Sequence, residues 1–205
     1  MKISKRGEYA LRALIDIGIA SELGKSIVQI GELAEHEKLP VKFLEQILMQ
    51  LKGGRFVSSK RGKQGGYYLR KPMDQITFGA VIRLIDGPLA PISCVSVTAY
   101  EKCSCPDEAH CGLRMIMLDV RNAVADILDK YSLSDVVSVT INKMKRDRVP
   151  LPFLMQMIGI ETSGSTPATS LMAVASSKSF KKRAAQAASL KTADVKNSEK
   201  RKPTP

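Results

Sequence analysis

Between residues 30 and 69, two short helical patterns and a basic, glycine-rich hairpin follow one another with almost no linker. This arrangement constrains the fold more than any other feature of the chain. Ile30, Leu33 and Ala34 make the inward face of a short helix over about Ile30–His36. A tight connection follows at Glu37–Leu39. Pro40 suits the first turn of the next helix, where its missing N–H costs nothing. In that helix Val41, Leu44, Ile47, Leu48 and Leu51 recur at helical spacing, leaving Lys42, Glu45, Gln46, Met49 and Gln50 on the opposite face. Gly53-Gly54 ends it.

Two short helices joined this tightly, the second carrying Lys, Glu and Gln outward, are what a helix-turn-helix needs to lay side chains on base edges in the major groove. The pattern alone is weak, because any exposed helix face is polar. The next segment strengthens it. Phe56-Val57-Ser58-Ser59 and Tyr67-Tyr68-Leu69 read as two strands around Lys60-Arg61-Gly62-Lys63-Gln64-Gly65-Gly66. Such a tip can approach a phosphate backbone and place a cation in the minor groove. A solvated hairpin is the plainer alternative, but one directly after a helix-turn-helix predicts a winged helix.

The charge distribution agrees. The chain has 205 residues, with 32 Lys+Arg against 20 Asp+Glu, a formal net charge of +12. Residues 42–71 hold Lys42, Lys52, Arg55, Lys60, Arg61, Lys63, Arg70 and Lys71 against Glu45 alone, net +7. Residues 161–205 hold another +6, and the rest of the chain is nearly neutral. An excess of this kind calls for a polyanion. Acidic membrane is disfavoured, because no strongly amphipathic basic helix is present. No apolar run approaches the ~20 residues of a membrane span. Arg12 and Asp16 interrupt the N-terminal apolar stretch that would otherwise resemble a signal peptide. A cytoplasmic protein without a membrane partner is expected.

Elsewhere, Tyr9–Ala20 reads as a mostly buried helix with Glu8, Arg12 and Asp16 as one polar stripe. Thr77 is expected to cap a helix over Phe78–Asp86 that stops at Gly87-Pro88. Leu113, Ile116, Met117, Val120, Val124, Ile127, Leu128 and Tyr131 form an apolar stripe over more than five turns. Ser134 is expected to cap a shorter helix to about Lys145. The fold class is therefore mainly α with a small β-hairpin wing. The expected division is a DNA-binding domain over 1–72, a cysteine loop and long helix over 73–147, an apolar segment of unknown role over 148–160, and a disordered basic tail over 161–205. The one candidate element in that tail is a short helix over 178–191. Contact with phosphates is the tail's functional alternative to plain solvation.

All four cysteines, Cys94, Cys103, Cys105 and Cys111, fall in eighteen residues between the two later helices. Random placement gives such clustering roughly once in several hundred to a thousand sequences, so a cause is needed. A disulfide framework is disfavoured because nothing indicates export. Inert packing is disfavoured because the segment is polar. Thiolate ligation of a metal or an iron–sulfur cluster, or reversible thiol chemistry, remains. His110 could join the thiolates on zinc, or simply be solvated. A cysteine-based redox or cluster-transfer protein is a third reading. It has little support, since no Cys-x-x-Cys, catalytic triad or phosphate loop is present and neither His36 nor His110 has a catalytic setting.

Gly7-Glu8-Tyr9-Ala10-Leu11-Arg12-Ala13-Leu14, Phe43-Leu44-Glu45-Gln46-Ile47 and Arg61-Gly62-Lys63-Gln64-Gly65-Gly66-Tyr67 together resemble the Rrf-two family of bacterial winged-helix regulators. The resemblance extends to about residue 145. It implies a homodimer on a near-palindromic double-stranded DNA operator. Lys42, Glu45 and Gln46 would read bases, Arg61 would enter the minor groove, and Lys60, Lys63, Gly65 and Gly66 would meet the backbone. The long helix would pair with its counterpart across a two-fold axis.

The resemblance also implies an iron–sulfur cluster, 2Fe–2S or 4Fe–4S, with zinc as the alternative. Cys94, Cys105 and Cys111 rank first as ligands, and Cys103 is the substitute or fourth. Where iron–sulfur members have a ligating histidine, three residues after the last cysteine, this chain has Arg114. Some relatives recruit an acid near the start of the partner's first helix. Here that residue is Glu8, whose other reading is an ordinary Glu8–Arg12 pair. The family wing usually has Pro-Gly-Gly-Gly where this chain has Lys63-Gln64-Gly65-Gly66, which adds a phosphate contact through Lys63.

Overall fold

Helix α1 (Lys5–Glu22) is the post around which the other elements are assembled. Ala10, Ala13, Leu14, Ile17 and Ala20 recur along its inner face and are all buried. It starts four residues before the expected Tyr9. The Ser4 hydroxyl accepts from the Gly7 N–H at 3.0 Å, and Glu8 in the first turn suits the positive end of the helix dipole. The structure, a computed structural model, describes residues 3–153. The expectations for residues 161–205, for the helix over 178–191, and for most of the 148–160 segment lie outside the described residues.

Helices α2 (Ile30–Glu37) and α3 (Val41–Gly53) follow as expected. The turn between them is made by Lys38, whose φ of 53° is left-handed. Pro40 does not occupy the first turn of α3 but caps it from outside, where its φ of −60° is unstrained. Leu44, Ile47, Leu48 and Leu51 are each 0% exposed. Each such burial contributes about 1.5–3 kcal/mol, which seats α3 on the core. Val41 is the exception and remains exposed at the helix start.

Strands β1 (Val57–Lys60) and β2 (Gly66–Leu69) pair antiparallel from Val57↔Leu69 to Lys60↔Gly66. Val28 adds a one-residue third strand by exchanging backbone hydrogen bonds of 3.0 and 2.8 Å with Tyr67. A single bridging residue has no periodicity, so the sequence offers no sign of it.

Helix α4 (Phe78–Asp86) is capped as expected by Thr77, whose hydroxyl accepts from the Ala80 N–H. The long helix is α5 (Gly112–Lys130), and α6 (Leu133–Arg146) returns to α1. Ser134 does not cap α6. Ser132 does, with Asp135 closing the reciprocal box, because Leu133 is drawn into the core and makes the helix start earlier. Gly18 lets α6 lie against α1, since a Cβ there would sit 2.8 Å from Val137 Cγ2. Helix α5 buries none of its residues. Leu113, Met115, Ile116, Val120, Ile127 and Tyr131 are all exposed.

Candidate DNA interface and cysteine cluster

The α3 face opposite the core carries Lys42, Glu45, Gln46 and Met49, all exposed. Lys52 Nζ donates to Ser59 Oγ at 2.8 Å, which fixes the end of α3 to β1 and so sets the wing relative to the helix. At the wing tip Lys60, Arg61, Gly62, Lys63 and Gln64 are exposed. Gly62 has a φ of 111°, a backbone that side chains rarely adopt. Gly65 and Gly66 are needed for a different reason. A Cβ on Gly65 would collide with the Lys60 carbonyl oxygen, and one on Gly66 with that of Val28. Both glycines are required by the wing's own close packing, which presents the three cations. The structure thus places Lys42, Glu45 and Gln46 on one helix face and Lys60, Arg61 and Lys63 on one turn.

The four cysteines lie on the segment connecting α4 and α5. Cys94 sits in a helical turn over Ser93–Val95 and is buried at 5% exposure, which the polar character of the segment did not suggest. Cys103 and Cys105 follow on an irregular stretch, and Cys111 is the N-cap of α5, its sulfur accepting from the Arg114 N–H at 3.4 Å.

The thiols interact in series. Cys94 meets Cys103, Cys103 meets Cys105, and Cys105 meets Cys111. Burial, then the Cys103 thiol, pushes Cys94 up. The backbone and then the thiol of Cys105 hold Cys103 down. Cys105, between two sulfurs, is pushed up to about 11. Cys103, ranked last from sequence spacing, is the link between Cys94 and the other two. Among the described residues no three sulfurs lie within 4.8 Å of one another, so the group is an open chain rather than a closed cage.

The polar neighbours are already engaged. Arg114 Nε lies 3.1 Å from Glu108 Oε1, and the Tyr100 hydroxyl donates to the same carboxylate at 2.8–2.9 Å. His110 is exposed and its Nδ1 faces Asp107 at 2.6 Å. Glu8 pairs with Lys5 at 2.7 Å and Arg12 at 3.7 Å, as in its ordinary reading. The donor set is four thiols that neighbour one another in series, the last of them at the start of α5. This set fits a thiolate-held iron–sulfur cluster or zinc.

The site is joined to the DNA-binding part through α5 and α4. Arg83 on α4 and Asp129 on α5 form a two-pronged ion pair, and Phe78 N–H donates to Tyr131 O at 3.3 Å. Cys111 begins the helix whose last turn is held in this way. No described helix is long and apolar enough to cross a membrane.

Comparison with known proteins agrees with this geometry. The Rrf2 (Rrf-two) family profile, described as an iron-dependent transcriptional regulator, matches residues 3–139. An Rrf2-like HTH-type transcriptional regulator of Rhodobacter capsulatus is 36% identical over 140 residues, covering 66% of this chain and 92% of the relative. IscR of Sodalis glossinidius is 30% identical over 138 residues, covering 67% of this chain and 79% of the relative. The structure of CymR, titled the global cysteine regulator of B. subtilis, superposes with a TM-score of 0.55 at 32% identity, over 68% of this chain and 98% of that one. The helix-turn-helix, the wing and the family match lead to one conclusion: this chain belongs to the Rrf2 family of DNA-binding transcriptional regulators and is not an enzyme.

Proposed function

We propose that this regulator is a cytoplasmic homodimer whose affinity for a near-palindromic operator is set by an iron–sulfur cluster on Cys94, Cys103, Cys105 and Cys111. The observation that carries the reading is the succession of four neighbouring thiols on one loop, ending on the N-cap of a helix that is pinned to α4 at its other end. The matching family profile is described as an iron-dependent transcriptional regulator, which is consistent with an iron centre here.

The division of labour follows from the residues. Lys42, Glu45 and Gln46 face bases, where each good side-chain pair discriminates by about 1–3 kcal/mol. Glu45 can accept from a cytosine amino group, and Gln46 can pair with adenine. Arg61 enters the minor groove while Lys60 and Lys63 meet phosphates. The exposed stripe of Leu113, Ile116, Val120 and Ile127 packs on its counterpart, setting two recognition helices about one DNA turn, ~34 Å, apart. Arg114 cannot ligate, so Cys103 completes the set.

When bound, a cluster supplies a centre sensitive to oxidation and nitric oxide. The chain's own part is mechanical: with the four thiolates held together the loop is ordered and α5 is fixed at its first turn. Arg83–Asp129 carries that constraint to α4 and the winged helix. Released thiols free the loop and change operator affinity.

Anaerobic purification with an absorption spectrum and iron, sulfide and zinc analysis tests this reading. Visible bands with iron and sulfide are expected, and a colourless, iron-free protein contradicts it. Zinc in its place supports a second reading, a zinc site or reversible thiol switch at the same cysteines. The open chain of neighbouring thiols, with Cys103 held down beside Cys105, favours that reading next.

A further inference from the structure

Among the described residues, one group of metal-ligating side chains lies outside the cysteines and the DNA-facing surface. Asp16 on α1 and His36 and Glu37 on α2 each offer an atom within 4.8 Å of the others. We propose that these three residues bind a divalent cation of the Mn2+, Fe2+ or Zn2+ class, joining α1 to the first helix of the helix-turn-helix. The site is independent of the thiols, and its assignment does not rest on the cluster reading.

The two carboxylates are almost fully enclosed, with side chains 5% and 6% exposed, and they lie close enough to hydrogen-bond one another. Two buried carboxylates in contact need a proton or a cation between them. His36 Nδ1 shares a hydrogen bond with Asp16 Oδ2 at 2.8 Å and lies 4.0 Å from Glu37 Oε1, so in the absence of a metal a proton holds the His36–Asp16 pair. An imidazole nitrogen therefore converges on the same point as the oxygens. Two carboxylates and one imidazole are a donor set for first-row divalent ions.

The surroundings of Glu37 support a ligating role. Its enclosed Oε2 is paired with Arg12 Nη2 at 2.5 Å. Oε1, on the His36 side, is the oxygen left for a cation. Metal-binding carboxylates commonly divide this way, one oxygen on the ion and the other on an outer cation that orients it. The His36 ring packs against Phe153 at 5.6 Å between centroids, which restricts its rotation. Its side chain is 42% exposed and so leaves an entry path.

The probe is Mn2+, which prefers oxygen and nitrogen over thiolate and so separates this site from the cysteines. The full chain, stripped of metal by chelator, is titrated with Mn2+ at neutral pH while the free-ion paramagnetic resonance signal is followed. One ion bound per chain is expected. About a tenfold or greater loss of affinity is expected in Asp16→Asn and His36→Gln, with no change when all four cysteines become serine. Each variant is checked for cooperative melting. Should Asp16→Asn fail to fold, the half-exposed His36→Gln decides. Mn2+ that stays free, binding unaffected by His36→Gln, or binding lost with the cysteines overturns the assignment; in the first case the three side chains are held by a shared proton instead.

Discussion

Arg83 donates two parallel hydrogen bonds, of 2.6 and 2.7 Å, to the carboxylate of Asp129. The pair joins the helix after the wing to the last turn of the helix that begins at Cys111, which in the proposed mechanism places it between the thiols and the DNA. Gly79 leaves room for it, because a Cβ there would overlap the Asp129 carboxylate. Gly79→Ala should therefore push Asp129 aside and weaken the dependence of operator affinity on the state of the cysteines while leaving the fold intact. Anisotropy titrations of loaded and metal-free protein check this.

The same pair has a pH signature. The hydrogen bonds from Arg83 hold the Asp129 carboxyl below its usual range. A folded-state value below the unfolded one gives stability that is present above the unfolded value, and it is lost as pH falls through the folded value. Wild type should melt higher than Asp129→Asn at neutral pH, with the gap closing below about pH 4. The effect should be small, since both side chains are at least a third exposed. A gap that widens on acidification would contradict the assignment.

At the wing, Arg61→Ala should weaken binding to a selected operator by about 1–3 kcal/mol and relax its sequence preference. Lys63→Ala should weaken all sequences alike and reduce the salt slope by about one phosphate contact. Binding measured across a salt series on specific and random duplexes separates the two. Unchanged operator affinity for Arg61→Ala would remove the wing from the interface.

The exposed stripe of α5 predicts an oligomer. Ile116→Glu combined with Val120→Glu should yield monomers in sedimentation analysis that remain folded, because neither side chain is buried within one chain. Operator binding should fall steeply, since two half-sites can no longer be engaged together. Dimers that survive this pair of charges would show that another surface is used.

Residues 161–205 carry nine basic and three acidic side chains, net +6. Their deletion should lower non-specific affinity and salt sensitivity and leave operator choice unchanged, which selection from a random duplex pool would reveal. A changed sequence preference would give this segment a part in readout.

Much of the DNA-binding part is legible in the sequence because its signals are local and periodic. The α3 stripe places Leu44, Ile47, Leu48 and Leu51 inside, and a run of glycines and cations marks the wing. What was hidden depends on contacts between distant residues. The pairing of Val28 with Tyr67 involves one residue. The burial of Asp16 depends on α2 arriving with His36 and Glu37. Ser132, not Ser134, caps α6 because Leu133 is needed in the core. The serial order of the thiols, with Cys103 linking Cys94 to Cys105, follows the path of an irregular loop that spacing does not determine.

In the proposed mechanism the four thiolates, when they hold a cluster, set operator affinity through α5 and α4. Operator affinity should be measured by anaerobic anisotropy on one preparation, first as iron- and sulfide-containing protein and then after the cluster is removed by chelator, with Cys103→Ser alongside. A tenfold or greater difference between the two states (about 1.4 kcal/mol), abolished in Cys103→Ser, is the predicted result. Equal affinities in the presence and absence of a bound cluster would contradict it.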